Sequence, residues 1–151
     1  MIYLLYLAIT LLTFVLMEGI TWCTHKYIMH GLGWFLHEDH HEPGYKRVFE
    51  KNDTFFVVFA VPSIMLFYFG VRPELNYLFF IALGVFLYGL AYFLIHDVLI
   101  HRRFKWFEKT NNRYFKAARK AHKVHHKHLG KEEGECFGML LFPFKFYKNA
   151  K

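Results

Sequence analysis

The chain is poor in thiols, in acid and in breaks. Its two cysteines, Cys23 and Cys136, form neither a CxxC motif nor a disulfide framework, which excludes a cysteine-built zinc module and a disulfide-stapled scaffold. Cys23 lies two residues before His25 and is a possible ligand, although a buried, inert thiol is the simpler expectation. Acidic residues number 12 against 19 Lys and Arg, a formal net charge of +7. Only four prolines interrupt 151 residues, and no segment is of low complexity. The N-terminus has no basic n-region, and its apolar run is too long for the core of a cleavable signal, so it is expected to remain as a membrane anchor. The length allows one domain at most, residues 1–151.

What the chain does have is apolar. Hydrophobic residues make up 55% and aromatic residues 21%, with 19 Phe and 10 Tyr. A soluble domain of this size could not hide so many large side chains. The mean hydropathy of +0.16 averages very apolar stretches with very basic ones. Residues 2–22 form an almost unbroken apolar run whose single charge is Glu18. Residues 54–69, with Pro62 as an expected kink, and 76–95 form a second and a third, joined closely enough to make a hairpin. The expected architecture is therefore an all-α integral membrane protein with about three transmembrane helices. A fourth, partial helix is left open; the aromatic stretch 137–147 is too short to cross and is expected to lie in the interface or close over the site. Arg72 is the sole cation in the hairpin connection, and the other 18 Lys and Arg lie elsewhere. The positive-inside rule then places the polar segments 24–53 and 96–147 as a cytoplasmic-face cap and the N-terminus outside. Within that cap, Pro43-Gly44 reads as a turn, Lys46, Arg47 and Lys51 as membrane-flanking cations, and Asp53-Thr54 as a helix N-cap.

From His101 to Lys131 eleven Lys or Arg stand against one acid, Glu108, and residues 112–128 read as a helix with Tyr114, Ala118, Ala121, His122 and His125 on one face. Beside membrane spans, this basic stripe suits anionic lipid headgroups better than an acidic redox partner, and either better than nucleic acid.

The organising feature is histidine. Ten of the eleven fall into four clusters: His25 and His30; His37, His40 and His41; His96 and His101; His122, His125 and His126. The spacing H-x4-H, H-x2-H-H is used twice. On a helix, positions i, i+3 and i+4 share a face within a pitch of about 5.4 Å, so each H-x2-H-H presents three imidazoles to one region. Positions i and i+5 diverge by roughly 140° at α-helical periodicity, so each H-x4-H either straddles two metals or contains a break. Ten ligands exceed the roughly four to six that one first-row ion takes, which implies a dinuclear site. Imidazole suits iron, copper, zinc and nickel alike. A structural zinc site needs fewer ligands and favours cysteine, and bis-histidine haem needs facing pairs within the bilayer rather than clusters flanking the spans. His128 has no counterpart in the repeat and is read as a non-ligand. Glu18, two helical turns before His25, and Asp97, beside His96, are candidates to hold an imidazole N–H from outside the metal.

Residues 25–34 (HKYIMHGLGW), 37–43 (HEDHHEP), Asn52-Asp53, 96–101 (HDVLIH), 121–126 (AHKVHH) and 131–140 (KEEGECFGML) carry a family pattern. Together they resemble the membrane-bound non-haem di-iron superfamily of fatty-acid hydroxylases, sterol-modifying oxidases and desaturases, and within it the bacterial β-carotene hydroxylases. That resemblance implies two iron ions held by His25, His30, His37, His40, His41, His96, His101, His122, His125 and His126. It implies O2 as co-substrate, with electrons from a ferredoxin-type donor and its NAD(P)H-dependent reductase. The implied reaction is hydroxylation of a β-ionone ring at C3, taking β-carotene through β-cryptoxanthin to zeaxanthin. A fatty-acyl or sterol hydroxylase or desaturase is the rival enzyme, and a metal- or haem-binding membrane protein is the non-enzymatic rival. Several superfamily members have four membrane helices, one more than counted here.

Overall fold

The computed structural model describes residues 1–42, 49–104, 106, 109–148 and 150, and it is helical, with no strand among the described residues. Helix α1 (Ile2–Cys23) runs directly into a π-helical segment, Thr24–Leu32, and α2 (Trp34–His41) follows a bend at Gly33. Helices α3 (Asp53–Gly70) and α4 (Tyr77–Phe93) form a hairpin, and α4 runs into a second π-helical segment, Leu94–Ile100. Helices α5 (Arg113–His125) and α6 (Phe144–Lys148) complete the chain. Three helical stretches are long and apolar enough to cross a membrane: Ile2–Leu32, Asp53–Gly70 and Tyr77–Ile100. They coincide with the three expected spans, the first and third extended by their π segments. No fourth stretch qualifies among the described residues, and α6 is only five residues long.

Helix α4 is central, packed against both α1 and α3. It lies parallel to α1: Tyr6 stacks on Phe80 at 4.0 Å, Thr10 Oγ1 donates to the Phe80 carbonyl at 3.2 Å, and Phe14 meets Tyr88 edge-on at 5.7 Å. Gly84 permits this approach, because a Cβ there would fall 2.6 Å from Thr13 Cβ and 2.7 Å from the Thr10 carbonyl oxygen. Against α3 it is antiparallel, with Ser63 Oγ donating to the Ala82 carbonyl at 3.4 Å. Asn76 closes the hairpin: its side chain caps α4 by accepting from Leu78 N at 3.0 Å and donates to the Phe69, Arg72 and Glu74 carbonyls. The outer faces stay apolar and uncovered, as Leu5, Leu12 and Val15 on α1 and Phe56, Val57 and Ile64 on α3 illustrate. Such surfaces are stable against hydrocarbon and not against water. The chain is a membrane protein. Because α1 and α4 end on the side where α3 begins, all the histidine-bearing segments gather at one end of the bundle.

Three sequence expectations are corrected in detail. Cys23 is exposed, because it sits on the outward face of α1. Asp53 opens α3 rather than capping it, and its Oδ2 accepts from Glu50 N at 3.0 Å. Helix α5 is shorter than 112–128, starting after Asn112, whose Oδ1 accepts from Tyr114 N and Phe115 N, and ending at His125. The expected turn at Pro43-Gly44 and the cations Lys46 and Arg47 lie outside the described residues, as does Glu108.

Candidate metal centre

The H-x4-H pairs converge because the backbone leaves α-helical geometry where they occur. Gly33 N donates to the Ile28 carbonyl at 2.7 Å and His101 N to the His96 carbonyl at 2.9 Å, each reaching five residues back. At His96–His101 a bond of that span brings residue i+5 back over residue i, which an α-helix cannot do. At His25–His30 the chain also breaks, His30 (φ −85°, ψ 15°) and Gly31 (φ −126°, ψ −117°) leaving helical angles. The ring centroids of His25 and His30 are 5.2 Å apart, and those of His96 and His101 are 4.5 Å apart. The expected divergence of these pairs is thereby removed.

The H-x2-H-H clusters behave in the opposite sense. His25, His30, His37, His41 and His125 form one group, and His40, His101, His122 and His126 a second; within each, one ligating atom per residue lies within 4.8 Å of all the others. His96 borders the second group, its Nε2 3.0 Å from that of His40. In each cluster the i and i+4 members (37 and 41; 122 and 126) stay together, while the i+3 member (40; 125) crosses to the other group. Three imidazoles on one helical face thus serve two regions instead of one. With His96 included, each side draws a pair from one π segment, a pair from one helix and a single histidine from the other helix.

Every described outer partner fixes an imidazole in the same sense. The Nδ1 atoms face acceptors: the Phe137 carbonyl for His25 (3.0 Å), the Lys131 carbonyl for His30 (3.0 Å), Asn52 Oδ1 for His37 (2.6 Å) and Glu50 Oε2 for His40 (2.8 Å). The His128 carbonyl serves His41 (3.0 Å), Asp97 Oδ2 serves His96 (3.4 Å) and the Glu135 carbonyl serves His125 (2.8 Å). Oxygens that can only accept require the proton on Nδ1, which leaves a lone pair on each Nε2. Those Nε2 atoms point at one another: His25 to His37 at 3.2 Å, His30 to His125 at 3.2 Å, and His40 to His96 at 3.0 Å. Lone pair facing lone pair is not a hydrogen bond. The Nε2 atoms of His41 and His126 are buried with no partner at all. Buried, unpartnered and convergent imidazole nitrogens are what a pair of borderline metal ions requires, so this donor set fits two irons.

Burial also keeps these rings neutral. It is the largest influence at His37, His40, His41, His101, His122, His125 and His126, all of which titrate below the usual histidine range, His41 at about 4 and His125 at about 3. Neighbouring imidazoles push in the same direction. A neutral ring is the ligating form. Aromatic rings flank the histidines: Phe137 lies 5.1–5.4 Å from His25, His30 and His125, Trp34 lies 5.2 Å from His30, and Tyr92 lies 4.8 Å from His96.

Glu18 does something other than orient a histidine. It is buried, and its carboxylate accepts from Met139 N (3.0 Å), Leu140 N (3.0 Å), Leu141 N (2.8 Å) and Tyr88 Oη (2.7 Å). It therefore ties the segment after Phe137 down onto the bundle, so that residues 131–141 close over the first group. Asp97 does face His96, as expected, and also meets Arg103 Nε at 3.1 Å. His128 contributes its carbonyl, and its imidazole lies outside both groups. Cys23 belongs to neither group. Asn52 and Glu50 were missed as imidazole acceptors, although polar residues ten to fifteen positions after a histidine cluster are a readable signal. The carbonyl acceptors have no signal in side-chain identity.

The chain matches the fatty acid hydroxylase family over residues 10–144. It is 44% identical over 135 residues to a beta-carotene hydroxylase of Pantoea ananas, covering 89% of this chain and 76% of that one. It is 39% identical over 138 residues to a beta-carotene hydroxylase of Paracoccus sp. (strain PC1), covering 89% of this chain and 83% of that one. A chloroplastic beta-carotene 3-hydroxylase of Haematococcus lacustris is 41% identical over 125 residues, covering 79% of this chain and 38% of that one. No solved structure matches. A histidine-lined double site closing the end of an apolar three-helix bundle, and a family match spanning nearly all of it, lead to one conclusion: the chain belongs to the fatty acid hydroxylase family.

Proposed function

We propose that this chain is an O2-dependent hydroxylase of the carotenoid β-ionone ring, acting at C3 and converting β-carotene by way of β-cryptoxanthin to zeaxanthin. The observation that carries this reading is the double set of inward-facing Nε2 atoms at the end of an apolar bundle, in a chain whose relatives are named beta-carotene hydroxylases. Two irons would be held by His25, His30, His37, His41 and His125 on one side and by His40, His96, His101, His122 and His126 on the other. When bound, they supply the activation of O2 by two electrons, one oxygen atom going to the ring carbon and the other to water.

The protein's own contribution is positional. The outer acceptors hold the Nδ1 protons of His25, His30, His37, His40, His41, His96 and His125 away from the centre and keep their Nε2 lone pairs inward. Phe137, Trp34 and Tyr92 keep water from the reacting carbon. The apolar bundle lets a long polyene enter from the bilayer by shape and dispersion. Electrons come from a ferredoxin-type donor with its NAD(P)H-dependent reductase, and the basic face of α5 meets anionic lipid headgroups. The site forms a cap on the cytoplasmic side of the membrane, with the N-terminus outside, and residues 1–151 act as a single domain.

Expression in a host that accumulates β-carotene, followed by pigment analysis, tests this reading. Zeaxanthin and β-cryptoxanthin are expected. Unchanged β-carotene beside intact, iron-loaded protein and a competent donor overturns it.

A further inference from the structure

The two histidine groups differ in what stands behind them. All five imidazoles of the first group give their Nδ1 hydrogens to neutral oxygens: four main-chain carbonyls and the Asn52 side-chain amide. In the second group, His40 and His96 face carboxylates, those of Glu50 and Asp97. One guanidinium joins these two acids. Arg103 Nη1 donates to Asp53 Oδ1 at 2.9 Å, and its Nη2 and Nε form ion pairs, without hydrogen-bond alignment, with Glu50 Oε2 at 2.7 Å and Asp97 Oδ1 at 3.1 Å. The Arg103 main chain is fixed as well, its N–H donating to the Asp97 carbonyl at 2.9 Å. The side chains are largely sheltered, with relative exposures of 18% for Arg103, 10% for Glu50 and 14% for Asp97.

This asymmetry has a chemical meaning. An imidazole whose N–H is drawn by a carboxylate is a stronger donor through its other nitrogen than one bound to a carbonyl. Three carboxylates around one guanidinium also leave the second group in a net negative surrounding that the first group lacks. The guanidinium spreads its charge over three nitrogens, so it stays within ion-pair distance of all three carboxylates at once, which a single ammonium does less well. Without Arg103, Glu50 and Asp97 become neighbouring, half-desolvated like charges that repel, and they release the rings they hold.

Resting on the two-metal reading above, we propose that Arg103 is a positioning residue for one metal position only. It locks Glu50 and Asp97 behind His40 and His96, making the second position the more electron-rich of the two and the only one that depends on this clamp.

The test is metal binding by the full chain in mild detergent, stripped with a chelator and titrated with Co2+, followed by ligand-field absorption and by bound metal per chain. Wild-type protein should bind two ions. Arg103→Met should bind one with unchanged affinity and the other about 10–100-fold more weakly. Glu50→Gln, which keeps size and an acceptor oxygen, should weaken the same ion, and Arg103→Lys should fall between Arg103→Met and wild type. Combination identifies the position: Arg103→Met should add little to the weakening already caused by His122→Ala at the same ion, whereas Arg103→Met with His30→Ala should weaken both ions, each by about as much as the single variants do. Fewer than two ions on the wild type overturns the two-metal reading and this inference with it. Two ions on the wild type, with Arg103→Met and Glu50→Gln weakening both equally or neither, overturns this inference alone. Far-ultraviolet circular dichroism matching the wild type identifies the variants that remain folded for this comparison.

Discussion

The Glu18 carboxylate stands 2.7 Å from the Tyr88 hydroxyl, joining α1 to α4 at the end of the bundle where the histidines gather. The same carboxylate accepts three consecutive main-chain N–H groups, those of residues 139–141. A single acid thus holds two spans and the closing segment together. Glu18→Ala leaves those three N–H groups without their acceptor, and an unsatisfied buried donor costs about 1–3 kcal/mol. The variant should lose about 3 kcal/mol or more, while Glu18→Gln, which keeps an acceptor oxygen, should lose less. Thermal midpoints in detergent and amide exchange at residues 139–141 report this. A Glu18→Ala midpoint equal to that of the wild type would contradict it.

Acid should destabilise the metal-free protein. In the fold, burial pushes His41 down to about 4 and His125 to about 3, whereas unfolded histidine titrates near 6.5. The unfolded chain therefore binds protons first as pH falls. Stability is fully present above about pH 6.5 and declines as pH drops through the window down to about 4 for His41 and about 3 for His125. Each such histidine contributes a slope of about 1.4 kcal/mol per pH unit within its window. Denaturant unfolding of chelator-treated protein between pH 7 and 4.5 should show midpoints falling with pH, and a flat profile would refute neutral burial of these rings.

Two histidines three residues apart should behave in opposite ways. His125→Ala removes a ring from the first group and should abolish turnover. His128→Ala should retain most activity, because His41 is held by the main-chain carbonyl of residue 128. Pigment yield in the β-carotene-accumulating host compares them, and equal loss would mean that the two groups are wrongly drawn.

Gly84→Val should loosen α1 from α4. Its Cβ would fall 2.6 Å from Thr13 Cβ, and overpacking of this kind costs about 1–3 kcal/mol. Gly89→Ala meets no neighbour within 4 Å and is the matched control. Equal thermal midpoints for the two variants would rule out the close crossing.

The spans were legible because uninterrupted apolar runs, one deep acid and a tight connection leave few alternatives. The four histidine clusters and His128's place outside them were equally plain. The partition of the histidines was not. Reading His25 and His30 at 3.6 residues per turn separates them unless the helix breaks, and Gly31 marks that break. At His96 and His101 nothing in the side chains announces that the backbone reaches back five residues. Likewise His40 and His41 look equivalent in a string of letters, and only helix rotation sends them to different groups. Glu18 was singled out correctly as an expensive buried charge, but its partners are main-chain N–H groups 121 to 123 residues away, which carry no residue-specific mark.

The carbonyls of Lys131, Glu135 and Phe137 hold His30, His125 and His25. A chain stopped at residue 130 would therefore contain every histidine and still lack the acceptors for three of them. During synthesis the histidines emerge in order from the N-terminus, but the acceptors of His25, His30 and His125 follow all of them. His25 and His30 thus leave the ribosome 112 and 101 residues before the carbonyls that orient them, so the first group's geometry is completed long after its first members are made.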